Sequence, residues 1–499
     1  MYIGLDIGTS GTKAALVDGT GNVLRSHQVN YGFSNTAGGY RELDAANVWN
    51  AAKICLEAVG SGAKTETIAV SALGEAIVLV HESGEPLAAG ITGTDVRGTK
   101  ELEELTDRFG LRTLTDVTGQ NLSTIYSANK ILWLKKNQPE LLERAWKVLT
   151  FQDYIIYRLC GHAVIDYSMA SRTMLFDINA MDWSESLVQA VGIGREKLAD
   201  VALGGTIAGE ILDSLALELG LSRGTKIVVG THDHVANAIG CGVCEVGSCS
   251  NAVGTTEGFT AVLKREQLTS ERIETYQIAC EPFAAAGLFN TVAWQNTSGV
   301  LLRWFVQEMI LKERPRDILD VFAEMNGTMK EEPTNLLILP HFSGAATPYM
   351  DSASTGAILG LTMDTRREDI YKALMEGANY EMTLIMDALR AAGLQPKKLV
   401  VTGGALSPQL LQIKADIMNL TVHTVKSRQT GVVGGAMLGA VALGDFSSLS
   451  EAASVMAEED RCYEPNPVRS RIYQEKLELY KKIYPSIAEI SHGIVKLNQ

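Results

Sequence analysis

Y-I-G-L-D-I-G-T-S-G-T-K-A-A-L-V-D, residues Tyr2 to Asp18, is the stretch that decides how this chain is read. Apolar residues alternate at Ile3, Leu5 and Ile7, run into Gly8-Thr9-Ser10-Gly11-Thr12, and resume from Ala14 to Val17. That pattern predicts two strands joined by a tight, glycine-rich turn. The turn carries hydroxyls and one lysine, Lys13, and an aspartate, Asp6, interrupts the first strand. A polyphosphate calls for such a turn. Glycine amides approach its oxygens, hydroxyls add donors, a cation offsets charge, and a carboxylate holds Mg²⁺. An aspartate inside an apolar strand is costly to bury without a partner, which also points to a bound group. Taken alone, the stretch would fit an ordinary Gly-Thr hairpin equally well.

The bulk properties set limits around it. A chain of 499 residues is too long for one ordinary core, so two large domains are expected. Hydrophobic residues make up 46% and charged ones 20%, a balance typical of a soluble globular protein. A formal charge of −14 disfavours nucleic acid or an anionic membrane as partner. No apolar run reaches transmembrane length, and a strand starting at Tyr2 leaves no signal peptide expected. Seven cysteines in so long a chain do not form a disulfide framework, which fits a reducing cytoplasm.

Further along, Val23 to Val29 predicts a third strand, Asn47 to Val59 a helix capped by Asn47, and Trp294 to Phe305 a further helix. Glu75, Asp95 and Arg97 fall just beyond strand-like segments, where open sheets place ligands. In K-I-V-V-G-T-H-D-H, an apolar strand from Lys226 ends at a glycine turn that presents His232, Asp233 and His234. Ser250 to Leu263 then repeats the opening device: strand, Gly254-Thr255-Thr256 turn, strand. Lys398 to Ala405 repeats the strand that breaks at glycine into a helix. A hairpin followed by a strand-to-glycine break thus occurs once in each half, which predicts two related α/β domains around a cleft. Residues 1–245 are read as the first domain and 246–499 as the second.

With these motifs in order, the chain resembles the FGGY carbohydrate kinases, of the actin- and hexokinase-like (ribonuclease H-like) fold. Asp6 to Lys13 is similar to the family's first phosphate motif, and Ser127 to Asn137 to most of its first signature. Gly230-Thr231-His232-Asp233 resembles the segment carrying the catalytic base, and Gly254-Thr255-Thr256 the second phosphate motif. Gly403-Gly404-Ala405, with Ser407, Gln412, Ala415 and Asp416, resembles the second signature, which reaches adenosine. The resemblance implies transfer of the γ-phosphate of ATP to a sugar hydroxyl, with Asp233 as base and Asp6 and Asp233 oriented on Mg²⁺. It assigns ATP to Gly8, Thr9, Ser10, Thr12, Lys13, Gly254, Thr255, Thr256, Gly403, Gly404, Ala405, Gln409 and Gln412. It assigns the sugar to Glu75, Asp95, Arg97 and His234. The first domain would hold sugar and base, the second the nucleotide, and a homodimer is the expected assembly.

Departures from the family pattern bear on the substrate. Glycerol kinases have Arg-Glu where this chain has Gly74-Glu75, and a tyrosine where it has Ile125. The Asn-Asp-Gln-Arg loop of xylulose kinases is Thr94-Asp95-Val96-Arg97 here. Glycerol is therefore not expected. A xylulose-like ketose is the first expectation, and a sugar acid, a tetritol or a pentitol stays open. Two readings of another class compete. His232, His234, Cys241, Cys244 and Cys249 have ligand types that suit zinc, which would make a metal-stabilised binding protein. An actin-like ATP-binding scaffold without catalysis is the other, although it retains both Asp6 and Asp233.

Overall fold

The computed structural model describes residues 1–499 apart from Ala37, Glu313, Arg314, Asn498 and Gln499. Two large mixed sheets organise it. In the first, Tyr2–Ile7 pairs antiparallel with Gly11–Val17, which pairs antiparallel with Val23–Asn30. On its other side Tyr2–Ile7 runs parallel to Thr67–Ala72, which runs parallel to Lys226–His232, and Ile207–Glu210 closes the edge antiparallel. The second sheet repeats this order and sense. Ser248–Val253 pairs antiparallel with Glu257–Leu263, which pairs antiparallel with Phe289–Gln295. Its other side runs parallel to Lys398–Thr402 and then Val422–Val425, with Glu459–Tyr463 as the antiparallel edge. The two hairpins seen in the sequence are the corresponding corners of these sheets.

The central strands are buried on both faces, which explains why Ile68-Ala69-Val70 and Leu399-Val400-Val401 read as unbroken apolar runs. Corresponding helices, Asp233–Gly240 and Thr430–Leu443, meet where the two halves join. Their backbones touch through glycines. A Cβ on Gly240 would lie 1.9 Å from the Thr430 carbonyl oxygen, and one on Gly434 1.9 Å from that of Ala236. Helix Thr430–Leu443 also lies across the first sheet, with the Val432 carbonyl against Gly4. No helix of the described residues is long and apolar enough to cross a membrane.

Local expectations differ from the structure in two places. The helix predicted from Asn47 starts at Ala45, and Asp44 caps it by accepting from the Ala46 and Asn47 amides. A carboxylate three residues before the expected cap reaches the free N–H groups with negative charge as well. Trp294 belongs to a strand, and the helix expected from that residue begins at Gly299.

Candidate active site

Register builds the first half of the site. Asp6 and Lys13 are cross-strand partners in the opening hairpin, so both point to one face at the strand ends. They line a cavity of about 220 Å³ with Asp233, Asn237, Gly403, Arg428 and Thr430. One Asp6 oxygen, Oδ1, is buried with no hydrogen-bond partner. Burial, then the charge of Asp233, pushes the Asp6 pKa up to about 7, against a smaller opposing pull from Lys13. Asp233 opens the helix that follows strand Lys226–His232, accepts from the His234 amide at 2.6 Å, and is raised to about 6, chiefly by burial. Two carboxylates held uncomfortably charged beside a lysine form a donor set that fits Mg²⁺ carried by a polyphosphate.

A second cavity, of about 440 Å³, adjoins the first. Thr9 from the first hairpin and Gly254 and Thr256 from the second both line it, so the two glycine turns face one space. Its other walls include Glu75, Thr92, Thr94, Ile125, Arg172, His232, Trp294 and Asn296. Asp233 and His234 border both cavities. Both histidines are held neutral, since burial and Arg172 lower their pKa. Glu75 takes a left-handed backbone, φ 63°, unusual for a residue with a Cβ, and the Ser127 hydroxyl donates to its carbonyl at 2.7 Å. Arg172 clamps it: one end of the guanidinium pairs with Glu75, the other with Glu281 at 2.6 Å.

Not every expected residue reaches a cavity. Asp95 and Arg97 bind each other at 2.7 Å, and Arg97 also binds Glu42 and lies over the Tyr40 ring. They hold the loop whose Thr92 and Thr94 line the wall. Lys130, from the first signature helix, fixes that loop further by donating to the Asp95, Arg97 and Thr124 carbonyls at 2.6–2.8 Å. Thr12 is buried against the Tyr31 hydroxyl, which donates to the Gly8 carbonyl, so it braces the turn from within. Ser10 and Thr255 sit exposed on their turns. Gly403 lines the smaller cavity at φ 133°, with the Val253 carbonyl 2.0 Å from where a Cβ would stand. Glycine is required there. Gly404 is exposed, Ala405 covers Gly299, and Gln409 is partly exposed. Gln412 turns away to Asp416 and the Glu464 carbonyl.

Arg172, Glu281, Arg428 and Lys130 were not singled out from the sequence. A single arginine within Met169-Ala-Ser-Arg-Thr-Met-Leu-Phe176 was the available signal, because a charge in an apolar run must find partners. The cysteines and histidines do not assemble as zinc would require. Cys241, Cys244 and Cys249 are buried, burial pushes the first two thiols up to about 12, and no group of three or more His, Cys, Asp or Glu among the described residues is placed to hold a metal.

Two repeated sheets, a hairpin from each facing one cleft, and a carboxylate on the boundary of two adjoining cavities fit a sugar phosphotransferase. The chain belongs to the FGGY family of carbohydrate kinases: the model of the family's N-terminal domain matches residues 1–240 and that of its C-terminal domain residues 249–443. It is similar to the xylulose kinase of Lactococcus lactis, 27% identical over 99% of both chains. Among solved structures it is similar to the gluconate kinase (TM-score 0.88) and the ligand-bound xylulose kinase (TM-score 0.86) of Lactobacillus acidophilus. Each of these is 26% identical and matches over 98% of both chains. The protein is an ATP- and Mg²⁺-dependent phosphotransferase with an alcohol acceptor.

Proposed function

We propose that the enzyme phosphorylates a small neutral ketose, xylulose-like, with Asp233 as general base. The observation that carries this is the position of Asp233, together with His234, on the boundary shared by the two cavities. A sugar hydroxyl in the larger cavity would lie against the carboxylate, with the γ-phosphate entering from the smaller one. Asp233 takes the hydroxyl proton as the oxygen attacks. Lys13 and the turns at Gly8–Ser10 and Gly254–Thr256 position the β- and γ-phosphates, with Gly403 and Gly404 giving close approach towards adenosine. Asp6 and Asp233 would hold Mg²⁺, which when bound neutralises the phosphate oxygens. His234 and Glu75 orient the sugar, while Asp95, Arg97 and Thr12 act by shaping the walls.

Charge supports a neutral substrate. The Arg172 guanidinium is already matched by Glu75 and Glu281, and Asp233 adds a further carboxylate. A sugar acid would bring another negative charge to this wall. It is the second reading, favoured by the gluconate kinase likeness. Glycerol is disfavoured by Gly74 and Ile125, which offer it no side-chain hydrogen bond. We assign the protein to the cytoplasm, where ATP is supplied, and to a homodimer. The apolar Val468, Leu479 and Ile490, exposed on the C-terminal helices, support that assembly. Sedimentation of the purified chain tests the dimer.

The test of the main reading is Asp233→Asn assayed against pentuloses, aldonates, pentitols, tetritols and glycerol. The wild type is expected to turn over a pentulose best. The variant is expected to lose about 10³-fold or more in kcat while still binding ATP. Turnover by the variant close to wild type would remove Asp233 from the chemistry.

A further inference from the structure

Gly74 leaves a gap in the sugar-cavity wall, and a side chain from elsewhere fills it. A Cβ built on Gly74 would stand 2.5 Å from Arg172 Nε and 2.9 Å from its Cδ. Arg172 follows the short helix Tyr167–Ser171, far from Gly74 in sequence. Its guanidinium is 9% exposed and lines the cavity. Both Nη groups are engaged: Nη2 by Glu75, and Nη1 by Glu281, a fully buried residue on the second sheet's edge strand Glu281–Pro282. The third donor is different. Nε–H is buried and has no partner among the described residues. An unpaired buried charged donor is costly unless something completes it.

We infer that Arg172 is a specificity-determining residue that donates Nε–H to one hydroxyl of the sugar, taking the place of the side chain absent at Gly74. The inference rests on the reading of a neutral sugar substrate. Glu75 and Glu281 act as positioning residues. They hold the guanidinium between them, and they use the Nη donors with which a free arginine would grip a carboxylate. The group therefore selects a hydroxyl and offers no fork to an aldonate. Gly74 belongs to the same device, since any larger residue there displaces the guanidinium.

The experiment compares the wild type with Arg172→Lys, Glu281→Gln and Gly74→Ala, using ATP, a pentulose and its series of monodeoxy analogues. Arg172→Lys keeps a cation between the carboxylates and removes Nε–H. It is expected to lower kcat/KM for the pentulose by about 10- to 1000-fold with KM for ATP unchanged. It should also abolish the discrimination against one deoxy position while leaving the others intact. Gly74→Ala should reproduce that selective loss, and Glu281→Gln should show it to a smaller degree. Melting temperatures identify any variant that fails to fold, and the remaining variants then carry the test. A merely structural arginine would lower every analogue equally, and that result overturns the inference. A wild type that phosphorylates the aldonate and not the pentulose overturns the inference together with the neutral-substrate reading. Retained discrimination in variants of a pentulose-active enzyme overturns the inference alone.

Discussion

Asp6, the proposed Mg²⁺ ligand, is unfavourable for the fold when charged. Burial and the charge of Asp233 push its carboxyl from about 3.8 up to about 7, so folding disfavours its charge. A folded pKa above the unfolded one means that lost stability accumulates as pH rises from about 4 to about 7 and stays constant above that. Asp6→Asn should therefore melt at the same temperature as wild type at pH 4 and higher at pH 8, with the gap narrowing when Mg²⁺ and an ATP analogue are added. A gap that does not depend on pH would show that Asp6 is comfortably partnered. Asp233 follows the same sign in catalysis. With its pKa raised to about 6, the acid limb of kcat/KM should fall through about pH 6, because the protonated form cannot accept the hydroxyl proton. An acid limb centred near 4 would place the base in a more polar setting. At this scale the sequence was legible where a residue carried its own chemistry on a motif, as Asp6, Lys13 and Asp233 do. Arg172 and Glu281 were not legible, since their meaning comes from a contact between segments separated by 109 residues. Asp95 and Arg97 pair with each other, and Arg97 with Glu42, contacts that their spacing in the sequence does not show.

The second hairpin depends on a buried ion pair at the scale of elements. Glu257, immediately after the Gly254–Thr256 turn, accepts from Lys414 at 2.5 Å and from the Ser298 hydroxyl at 2.6 Å, both from other elements. Lys414 lies on Pro408–Met418, the helix of the second signature, and both side chains are essentially inaccessible. The pair thus ties the Gly254–Thr256 turn to the helix Pro408–Met418. Lys414→Met leaves Glu257 charged and alone, and should cost about 3–5 kcal/mol of stability. It should also raise KM for ATP more than KM for sugar. The double variant Lys414→Met with Glu257→Gln should recover much of the stability, because the uncompensated charge is gone, while the ATP defect persists. Urea unfolding and steady-state kinetics check both. Equal destabilisation in single and double variants would mean that the pair stabilises through packing alone. Helix and strand positions were legible from apolar spacing. The cap at Asp44 was missed by three residues because spacing marks the buried face and says little about where the free N–H groups find an acceptor.

The repeat of hairpin and strand-to-glycine break, read from sequence, corresponds in the whole molecule to two sheets of the same strand order. Its use follows from where the halves touch. Helices Asp233–Gly240 and Thr430–Leu443 are in backbone contact, a seam about which the halves would turn on closure, and the hairpins with Thr9 and Thr256 both line the larger cavity. One ATP satisfies both turns only when they approach. Ligands shift a conformational equilibrium by their differential affinity for its states, so ATP analogue and sugar together should compact the molecule more than either alone. Closure also excludes water, which would otherwise compete with the sugar hydroxyl for the phosphate. Thr256→Val, on the exposed turn, should weaken nucleotide binding and compaction in step while leaving sugar binding nearly intact. Small-angle scattering with both ligands measures this directly. A radius of gyration unchanged from the free protein, with both ligands shown to be bound, would mean that the cleft works without closing and that the two turns act on ATP from fixed positions.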